Sequence, residues 1–540
     1  MNRVLILGGY GGFGARLSRR LAGDGWTVIV AGRDIARARG FARTLQGSEA
    51  LRADREGDLV PVLAEARPDL LIDAAGPFQG NSYRVPQACI AAGVHYTDLA
   101  DARDFVCGIG ELDHAARTAG VAVLAGASTV PALTGAVLRE LAAPLDRVDA
   151  VDMALGASTA ATGGALIAAA ALSYAGKPIR VWHGRRWSEA FGLHGLQRRV
   201  FAVAGRRPVT RWVALADIPD LELAPQALPG APAASFRAGN ESAAQMIAGR
   251  MLSALVRQGW LRSLTALGGM LLPLQRRLAR YGSTRSAMSV EAAGWRGDEP
   301  VLRRWTVIAE DGDGPEIPVL AAQLVARRLR DGALEAGARD TSRLFALGDF
   351  GPLLGGLRAA TEIEETAHPP VYRRVMGAGY DRLPEPVRTM HAIVGDGGAE
   401  GEGTVERGAA LLARLAGAIG GFPPAGHYPV HVAFAERDGI ERWTRSFGLH
   451  RFHSHLSQAG RRIEERFGPL RFQFDLPGDE LGLRMVLRGW SAFRIPLPRF
   501  LAPRIVATER AEGDDFVFDV AVALPLVGPV VHYRGRLRRV

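Results

Sequence analysis

The stretch GGYGGFG, residues 8–14, places five glycines in seven positions directly after the aliphatic run VLIL. In a dinucleotide-binding turn, one glycine allows a tight turn out of a strand, a second lets the backbone approach a diphosphate, and a third lets the next helix lie close to the sheet. Gly9, Gly11 and Gly14 fit the G-x-G-x-x-G spacing, and Gly8, Gly11 and Gly14 fit a wider G-x-x-G-x-x-G spacing. Because the motif leaves a strand pattern and opens a helix pattern, it predicts a dinucleotide site rather than a purely structural turn.

The first 145 residues alternate short aliphatic runs with amphipathic segments of helical length. The aliphatic runs cover residues 4–7, 27–31, 70–74, 96–99 and 121–125. Strands that alternate with helices predict crossover units and a parallel sheet, and uniformly aliphatic strands indicate burial on both faces. The pattern therefore predicts an α/β fold with a Rossmann doubly wound parallel sheet over residues 1–145.

The second predicted strand ends in the residues VIVAGRD, without the acid that commonly binds an unphosphorylated ribose. Gly32 offers no side chain to clash with a ligand, and the Arg33 guanidinium can bind phosphate oxygens in a forked geometry. This end therefore predicts NADP(H) over NAD(H). The alternative is that Arg33 forms a salt bridge with the adjacent Asp34 at the start of a helix.

The strand ending near residue 74 is followed by AAGPFQG, where small residues admit a cofactor and Phe78 is placed to border a nicotinamide ring. Ligands of such sheets collect beyond the carboxyl ends of the strands. The cofactor-binding residues that these three strand ends predict are Gly8, Gly9, Gly11, Gly12, Phe13, Gly14, Arg33, Ala75, Gly76, Pro77 and Phe78.

The segment GVHYTDLAD contains the two candidate catalytic residues, Tyr96 and Asp98. Alternation along a strand places both side chains on one face. Either group can hand a proton to a substrate during reduction. The alternative is that Asp98 caps the following helix and Tyr96 packs in the core.

Several of these motifs resemble the NADP-binding half of saccharopine dehydrogenase-like oxidoreductases: VLILGGYGGFG, AGR, DAAGPFQG, the Cys89 region with AAGVHYTDLAD, and GASTVPALTGAV. The resemblance continues through YAGKPIRVWHGRRW, FRAGNES and DGDGPEIPVLAAQLVARRLRDGALEAGA, to about residue 345. It implies a second α/β domain at 146–345 that closes over the cofactor, with a helix at 317–340 that returns to the Rossmann half. It also implies hydride transfer at a C=N bond or, as in lipid-directed relatives, at a C=C bond.

A third region follows a glycine-rich hinge predicted at residues 345–357. Residues 358–540 show strand-like alternation with frequent turns, which predicts a curved, mainly antiparallel β sheet with one or two helices, an α+β domain. The acidic, glycine-rich segment 395–408 is interpreted as a hairpin loop. This region resembles an uncharacterised domain that is often fused behind such oxidoreductases. A sheet of this kind can enclose an apolar ligand if it curls far enough.

The charge, cysteine and histidine content of the chain argues against a nucleic-acid partner and a metal site. The chain has 66 Lys and Arg against 56 Asp and Glu, and because the two signs alternate, the net charge of +10 predicts no nucleic-acid partner. Two cysteines cannot form a disulfide framework, and His450, His453 and His455 lack a third ligand at a usual spacing, so no metal site is predicted. The N-terminus lacks a signal-peptide pattern, and a cytoplasmic location is expected.

Two apolar windows, beginning at Gly163 and Leu261, are shorter than the ~20 residues that span a bilayer and are interpreted as buried helices. The second continues into QRRLARYG, which leaves peripheral membrane contact open, and a homodimer is also left open. The sequence thus predicts an NADP(H)-dependent oxidoreductase whose substrate is a lipid or an amino-acid-derived imine. The alternative is a non-catalytic protein that binds NADP or lipid and serves in interactions.

Overall fold

The computed structural model describes residues 2–159, 172–265 and 282–540. Its first sheet has seven parallel strands in the order β15-β6-β5-β4-β1-β2-β3. These strands are β1 (Arg3–Leu7), β2 (Thr27–Gly32), β3 (Glu49–Arg52), β4 (Leu70–Asp73), β5 (His95–Asp98), β6 (Ala122–Ala125) and β15 (Gly337–Asp340). The predicted doubly wound Rossmann sheet is confirmed, because strand order reverses beside β1 and apolar clusters cover both faces.

The helices of this part connect successive strands of the sheet. Short aliphatic strands buried on both faces need such covering elements, since each face exposes apolar side chains. The helices cover Gly12–Gly23, Ile35–Ala42, Val60–Ala66, Arg84–Ala91, Arg103–Gly108, Asp113–Thr118 and Thr134–Ala142.

The returning segment differs from the single helix predicted at 317–340. A short 3-10 helix (Gly314–Val319) leads into the α-helix Leu320–Arg330, and the chain then adds strand β15 beside β6. The helix lies against the first helix of the chain, where Arg327 donates two hydrogen bonds of 2.9 Å to the Asp24 carboxylate. The prediction of one helix was too long because the loop at 331–336 breaks it.

A second seven-stranded sheet runs in the order β10-β11-β12-β7-β13-β14-β16. Only the β7–β12 pair is parallel among its pairings. Its strands are β7 (Arg147–Gly156), β10 (Gln197–Phe201), β11 (Val209–Leu215), β12 (Ala233–Asn240), β13 (Ser286–Arg296), β14 (Glu299–Ala309) and β16 (Ala359–Ala367). The hairpin β8 (Pro178–His183) and β9 (Arg186–Phe191) and the helices Asp220–Ala227 and Ala243–Arg257 accompany the sheet.

Two predicted features between the second and third regions need correction. The segment predicted as a glycine-rich hinge forms the helix Leu347–Gly355. Strand β16, which the sequence assigned to the C-terminal domain, pairs with β14 of the second sheet. Its predominantly polar sequence, AATEIEETA, suits an edge strand with one covered side.

The C-terminal region is an antiparallel barrel of ten main strands. The strands are β17 (Asp396–Arg407), β18 (Gly426–Arg437), β19 (Ile440–Phe447), β20 (His450–Ala459), β21 (Arg462–Phe467), β22 (Leu470–Asp475), β24 (Gly482–Ala492), β26 (Arg504–Glu512), β27 (Asp515–Leu524) and β28 (Gly528–Arg539). The pairs β17–β28 and β22–β24 close the circle. The short strands β23 (Gly478–Asp479) and β25 (Ile495–Pro496) and the helices Val371–Met376, Glu385–Met390 and Leu411–Ile419 complete the domain.

Strand β17 corrects the prediction of a hairpin loop at 395–408. Its glycines allow neighbouring strands to approach, since a Cβ on Gly401 would lie 2.0 Å from the carbonyl oxygen of Arg536. Glycine is otherwise depleted in strands, so its density in this segment concealed a strand in the middle of the chain's largest sheet.

The barrel and the second domain touch through the beginning of β17 and the end of β18. The Asp396 carboxylate accepts a hydrogen bond of 2.8 Å from the Gly184 amide and also contacts His183, while Arg437 is paired with Asp152. Within the described ranges, no helix is long and apolar enough to cross a membrane. The apolar windows beginning at Gly163 and Leu261 lie largely outside the described residues, so the helices predicted there are not among the elements reported.

Candidate dinucleotide site

The glycine turn leaves β1 with the geometry that a bound diphosphate requires. Gly8 has a φ of +72°, a conformation that favours glycine, and its amide donates to the Ala31 carbonyl at 2.8 Å. A Cβ on Gly14 would lie 2.2 Å from the Gly8 carbonyl oxygen. Gly11 is the N-cap of the helix Gly12–Gly23 and supplies no capping side chain. The helix therefore begins close against the turn, with its first amides directed where an anion binds such a motif.

The structure distinguishes the roles of the two overlapping glycine spacings. Gly8 makes the left-handed turn, Gly11 caps the helix, and Gly14 permits the close approach, so the wider spacing carries the three expected roles. Gly9 is needed for packing, because a Cβ there would lie 3.0 Å from the Ile6 carbonyl oxygen.

The end of β2 is covered by a side chain that the sequence reasoning missed, Tyr10. A Cβ on Gly32 would come within 2.5 Å of the Tyr10 ring, so the glycine makes room for the aromatic side chain. The Tyr10 hydroxyl accepts a hydrogen bond of 3.1 Å from the Asp34 amide, and the Arg37 guanidinium lies 5.0 Å from the ring centroid. An aromatic residue inside the glycine motif was the signal that could have drawn attention to this position.

Arg33 stands exposed at the end of β2 and is available to a ligand. The adjacent Asp34 acts as the N-cap of the following helix, where its carboxylate accepts a 3.0 Å hydrogen bond from the Arg37 amide. In the described part of the chain, no salt bridge involves Arg33. The alternative reading, in which Arg33 pairs with Asp34, thus finds no contact to support it.

A second arginine lies beside Arg33 across the sheet. Arg52, the last residue of β3, is exposed and is the direct strand partner of Gly32. Neighbouring strands are about 4.8 Å apart, so the two arginines belong to adjacent strand ends at the same edge of the sheet. Sequence reasoning missed Arg52 because β3 has only four residues and none of the burial that marks the other strands.

The segment after β4 places its small residues against the glycine turn. A Cβ on Gly8 would lie 3.1 Å from the Ala74 carbonyl oxygen and 3.2 Å from the Cα of Ala75. Phe78, in contrast, is buried, with its ring 5.4 Å from that of Phe105 and 4.6 Å from the guanidinium of Arg55. Its contact with a nicotinamide ring stays a prediction, and packing already accounts for the aromatic residue at this position.

Tyr96 and Asp98 lie together but away from solvent. Both are fully buried, and Asp98 Oδ1 accepts hydrogen bonds of 2.9 Å from the Ala100 amide and 2.7 Å from the Gly126 amide. Burial raises the pKa of Asp98 to about 7, against the lowering effect of these two amides. Tyr96 packs in the core, as the alternative has it, but Asp98 does not cap the following helix, Arg103–Gly108, whose N-cap is Ala102. A catalytic role for either residue stays a prediction.

A small cavity separates the glycine turn from the second sheet. It has a volume of about 70 Å³, and Phe13 and Thr129 face Leu155, Met288 and Ile317 across it. As far as the described residues line it, every side chain is apolar or a hydroxyl-bearing residue. Such a lining suits an apolar group rather than a carboxylate.

The two ends of the chain match known families. Residues 4–124 match the saccharopine dehydrogenase NADP binding domain, and residues 383–537 match a domain of unknown function, DUF4166. The chain joins these two domains. The resemblance predicted from the sequence is thereby confirmed at both ends, and the NADP-binding domain supports a nicotinamide nucleotide cofactor and oxidoreductase activity.

Two solved structures are similar to parts of this chain at low sequence identity and low TM-score. An amine dehydrogenase from Mycobacterium smegmatis is 11% identical, with a TM-score of 0.32, over 63% of this chain and 95% of its own. A short chain dehydrogenase/reductase family oxidoreductase from Burkholderia thailandensis is 20% identical, with a TM-score of 0.20, over 23% of this chain and 67% of its own. No curated protein matches the sequence.

The structure of the NADP-binding domain thus brings together most of the residues predicted for the cofactor. The glycine turn, Arg33, and the segment beginning at Ala75 meet at the carboxyl edge of the sheet. Tyr10, Arg37 and Arg52 join them. The predicted catalytic pair lies one strand farther along, at the end of β5, below the surface.

Proposed function

We propose that this protein is an NADP(H)-dependent oxidoreductase that transfers a hydride to or from a C=C or C=N bond in an apolar substrate. The proposal rests on the arrangement of residues at the carboxyl edge of the first sheet. There, a glycine turn at the start of a helix lies next to two exposed arginines, Arg33 and Arg52, at adjacent strand ends. Amides at the start of a helix and guanidinium groups both bind anions. The 2′-phosphate of NADP(H) needs the positive charge of the guanidinium groups.

The nicotinamide supplies or accepts the hydride when the cofactor is bound, and the protein's contribution is to bind and orient it. The turn at Gly8–Gly14 fixes the diphosphate, while Phe13 points to the boundary with the second sheet. Holding donor and acceptor carbons in contact lowers the barrier by removing the entropy cost of their encounter.

Apolar side chains at the boundary between the first two domains support the proposed substrate class. The cavity beside Phe13 has room only for a small group, and Leu155, Met288 and Ile317 in its lining favour an apolar group of the substrate there over a carboxylate. A charged amino-acid substrate would need a cationic partner, because a desolvated carboxylate is costly without one.

The test is a binding and turnover experiment with the full chain. We expect NADPH to bind more tightly than NADH, and NADPH to be consumed with an apolar enone or a preformed hydrophobic imine but not with a keto dicarboxylate plus ammonia. Consumption with the dicarboxylate alone would overturn the substrate class. Tight NADPH binding without turnover on any extract would instead favour the non-catalytic alternative, which the burial of Tyr96 and Asp98 supports.

A further inference from the structure

The C-terminal barrel encloses a second, much larger cavity of about 780 Å³. Ligand pockets commonly measure about 300–1,000 Å³, and barrels of eight or more strands have room for a ligand inside. Aromatic side chains dominate the walls, including Phe447, Phe452, Phe472, Trp490 and Phe516. The volume and lining suit a long apolar chain.

Arg445 and the acids of this cavity are already paired, whereas Arg451, which also lines it, is exposed at the start of β20. Arg445 donates to Ser454 at 2.9 Å and to Glu465 at 3.4 Å, and Glu509 lies 2.6 Å from the His391 ring. An ionised group of a ligand would find no unmatched charge among these pairs. The part of a ligand that lies deep in the barrel is therefore uncharged.

One end of the barrel is closed by helical segments. Tyr372, from the helix Val371–Met376, stacks on His391 at a centroid distance of 3.6 Å, and both are buried. Asp396 and Arg437, which contact the second domain, lie at this same closed end. The opposite end is formed by the strand connections 408–425, 448–449, 468–469, 493–503 and 525–527, and we call it the open end.

The open end carries exposed apolar side chains on four of its five connections. Leu449 and Leu526 are fully exposed, Phe493 and Phe500 are 78% and 77% exposed, and Leu411 is 81% exposed. Large apolar side chains gathered at one end of a soluble domain mark an interaction surface.

Charge distinguishes the two ends of the barrel. The five connections of the open end contain no Asp or Glu and three arginines, Arg414, Arg494 and Arg499. The four connections of the closed end, 438–439, 460–461, 476–481 and 513–514, contain four acids and one arginine. An apolar surface with a positive charge and no acids is complementary to an anionic bilayer, where apolar side chains enter the interface and arginines meet lipid head groups.

We infer that the barrel binds one lipid with an apolar chain and an anionic head, and that the lipid enters and leaves through the open end while that end lies on an anionic bilayer. The chain occupies the aromatic cavity, and the head remains among the arginines of the open end. This site is separate from the dinucleotide site, and the inference does not depend on the oxidoreductase proposal.

The cavity is tested with the fluorescent fatty acid cis-parinaric acid and the full chain. Val522 lines the cavity, and its neighbour on β27, Ala521, does not. We expect saturable binding of one probe per chain, at least tenfold weaker binding by Val522→Trp, and unchanged binding by Ala521→Trp. Absence of binding to the unaltered protein, or equal losses in the two variants, would overturn the cavity site.

The docking surface is tested by sedimentation with phosphatidylcholine vesicles that contain or lack phosphatidylglycerol. We expect binding to the anionic vesicles, at least tenfold weaker binding by the double variant Leu449→Glu and Leu526→Glu, and unchanged binding by Leu481→Glu. Leu481 is a matched control because it is 83% exposed at the closed end. Equal weakening of vesicle binding by the double variant and by Leu481→Glu would refute docking through the open end. Unchanged binding by the double variant would refute it as well. Substituting exposed positions leaves the barrel core intact, and thermal unfolding of each variant checks this.

Discussion

The arginine pair at the ends of β2 and β3 makes a quantitative prediction about cofactor choice. Arg33→Ala removes an exposed guanidinium from the residue after Gly32, and Arg52→Ala removes one from the strand partner of Gly32. A hydrogen bond to a charged group contributes about 1.5–3 kcal/mol in a protected site, and pairs in solvent contribute less than about 1 kcal/mol. Both side chains are exposed, so the lower figure applies, and about 0.5–1 kcal/mol each is expected, or about two- to fivefold in the Kd for NADPH.

The assay is titration of each variant with NADPH and NADH, followed by cofactor fluorescence. We expect the single variants to lose affinity for NADPH and to keep their affinity for NADH, and the double variant to lose at least about fivefold for NADPH. The loss should shrink at high salt, because exposed charges are screened. Arg39→Ala, an exposed arginine on the helix after β2, serves as the charge-matched control.

Two results would refute this reasoning. Equal losses for NADPH and NADH would show that the arginines act on a part that both cofactors share, such as the diphosphate. Unchanged NADPH binding in the double variant would show that the 2′-phosphate does not bind at this edge of the sheet.

Three further predictions concern the glycine turn, the buried carboxyl and the contact between the first two domains. Gly14→Ala should weaken NADPH binding more than tenfold, since its Cβ would lie 2.2 Å from a carbonyl oxygen, whereas Gly23→Ala, with open space around it, should leave binding unchanged. Asp98→Asn should gain thermal stability relative to the unaltered protein as the pH rises from about 4 to about 7, because burial raises the pKa of Asp98 to about 7. Arg103→Ala should destabilise the protein by about 1–3 kcal/mol, because this buried side chain pairs at 3.0 Å with Glu222, which stays partly solvated.

The sign of the pH effect follows from proton binding. In the unfolded chain Asp98 loses its proton near its ordinary pKa, whereas in the folded protein it retains the proton up to about pH 7. The folded state therefore binds more protons in this window, and the contribution of Asp98 to stability falls as the pH rises through it. Parallel melting curves for Asp98→Asn and the unaltered protein across this window would contradict the prediction, as would equal effects of Gly14→Ala and Gly23→Ala, or an unchanged denaturation midpoint for Arg103→Ala.

The dinucleotide fold could be predicted from the sequence, because the signals that specify it are local. The patterns that predict it each depend only on residues close together in the sequence. They are aliphatic runs of four or five residues, helical segments between them and glycines at fixed spacing. Arg33 could be predicted for the same reason, since it directly follows a recognisable strand.

Features that depend on the pairing of distant segments could be recognised only once the chain was folded. Arg52 joins Arg33 only because β3 pairs with β2, and Asp98 is removed from solvent by the loop at Gly126, 28 residues later in the chain. The glycine-rich strand β17 is recognisable only beside β28, which lies more than a hundred residues away in the sequence. Closure of the barrel through that pair creates the cavity. It also places the acidic connections at one end of the barrel and the apolar connections at the other, and no single segment of the sequence encodes this arrangement.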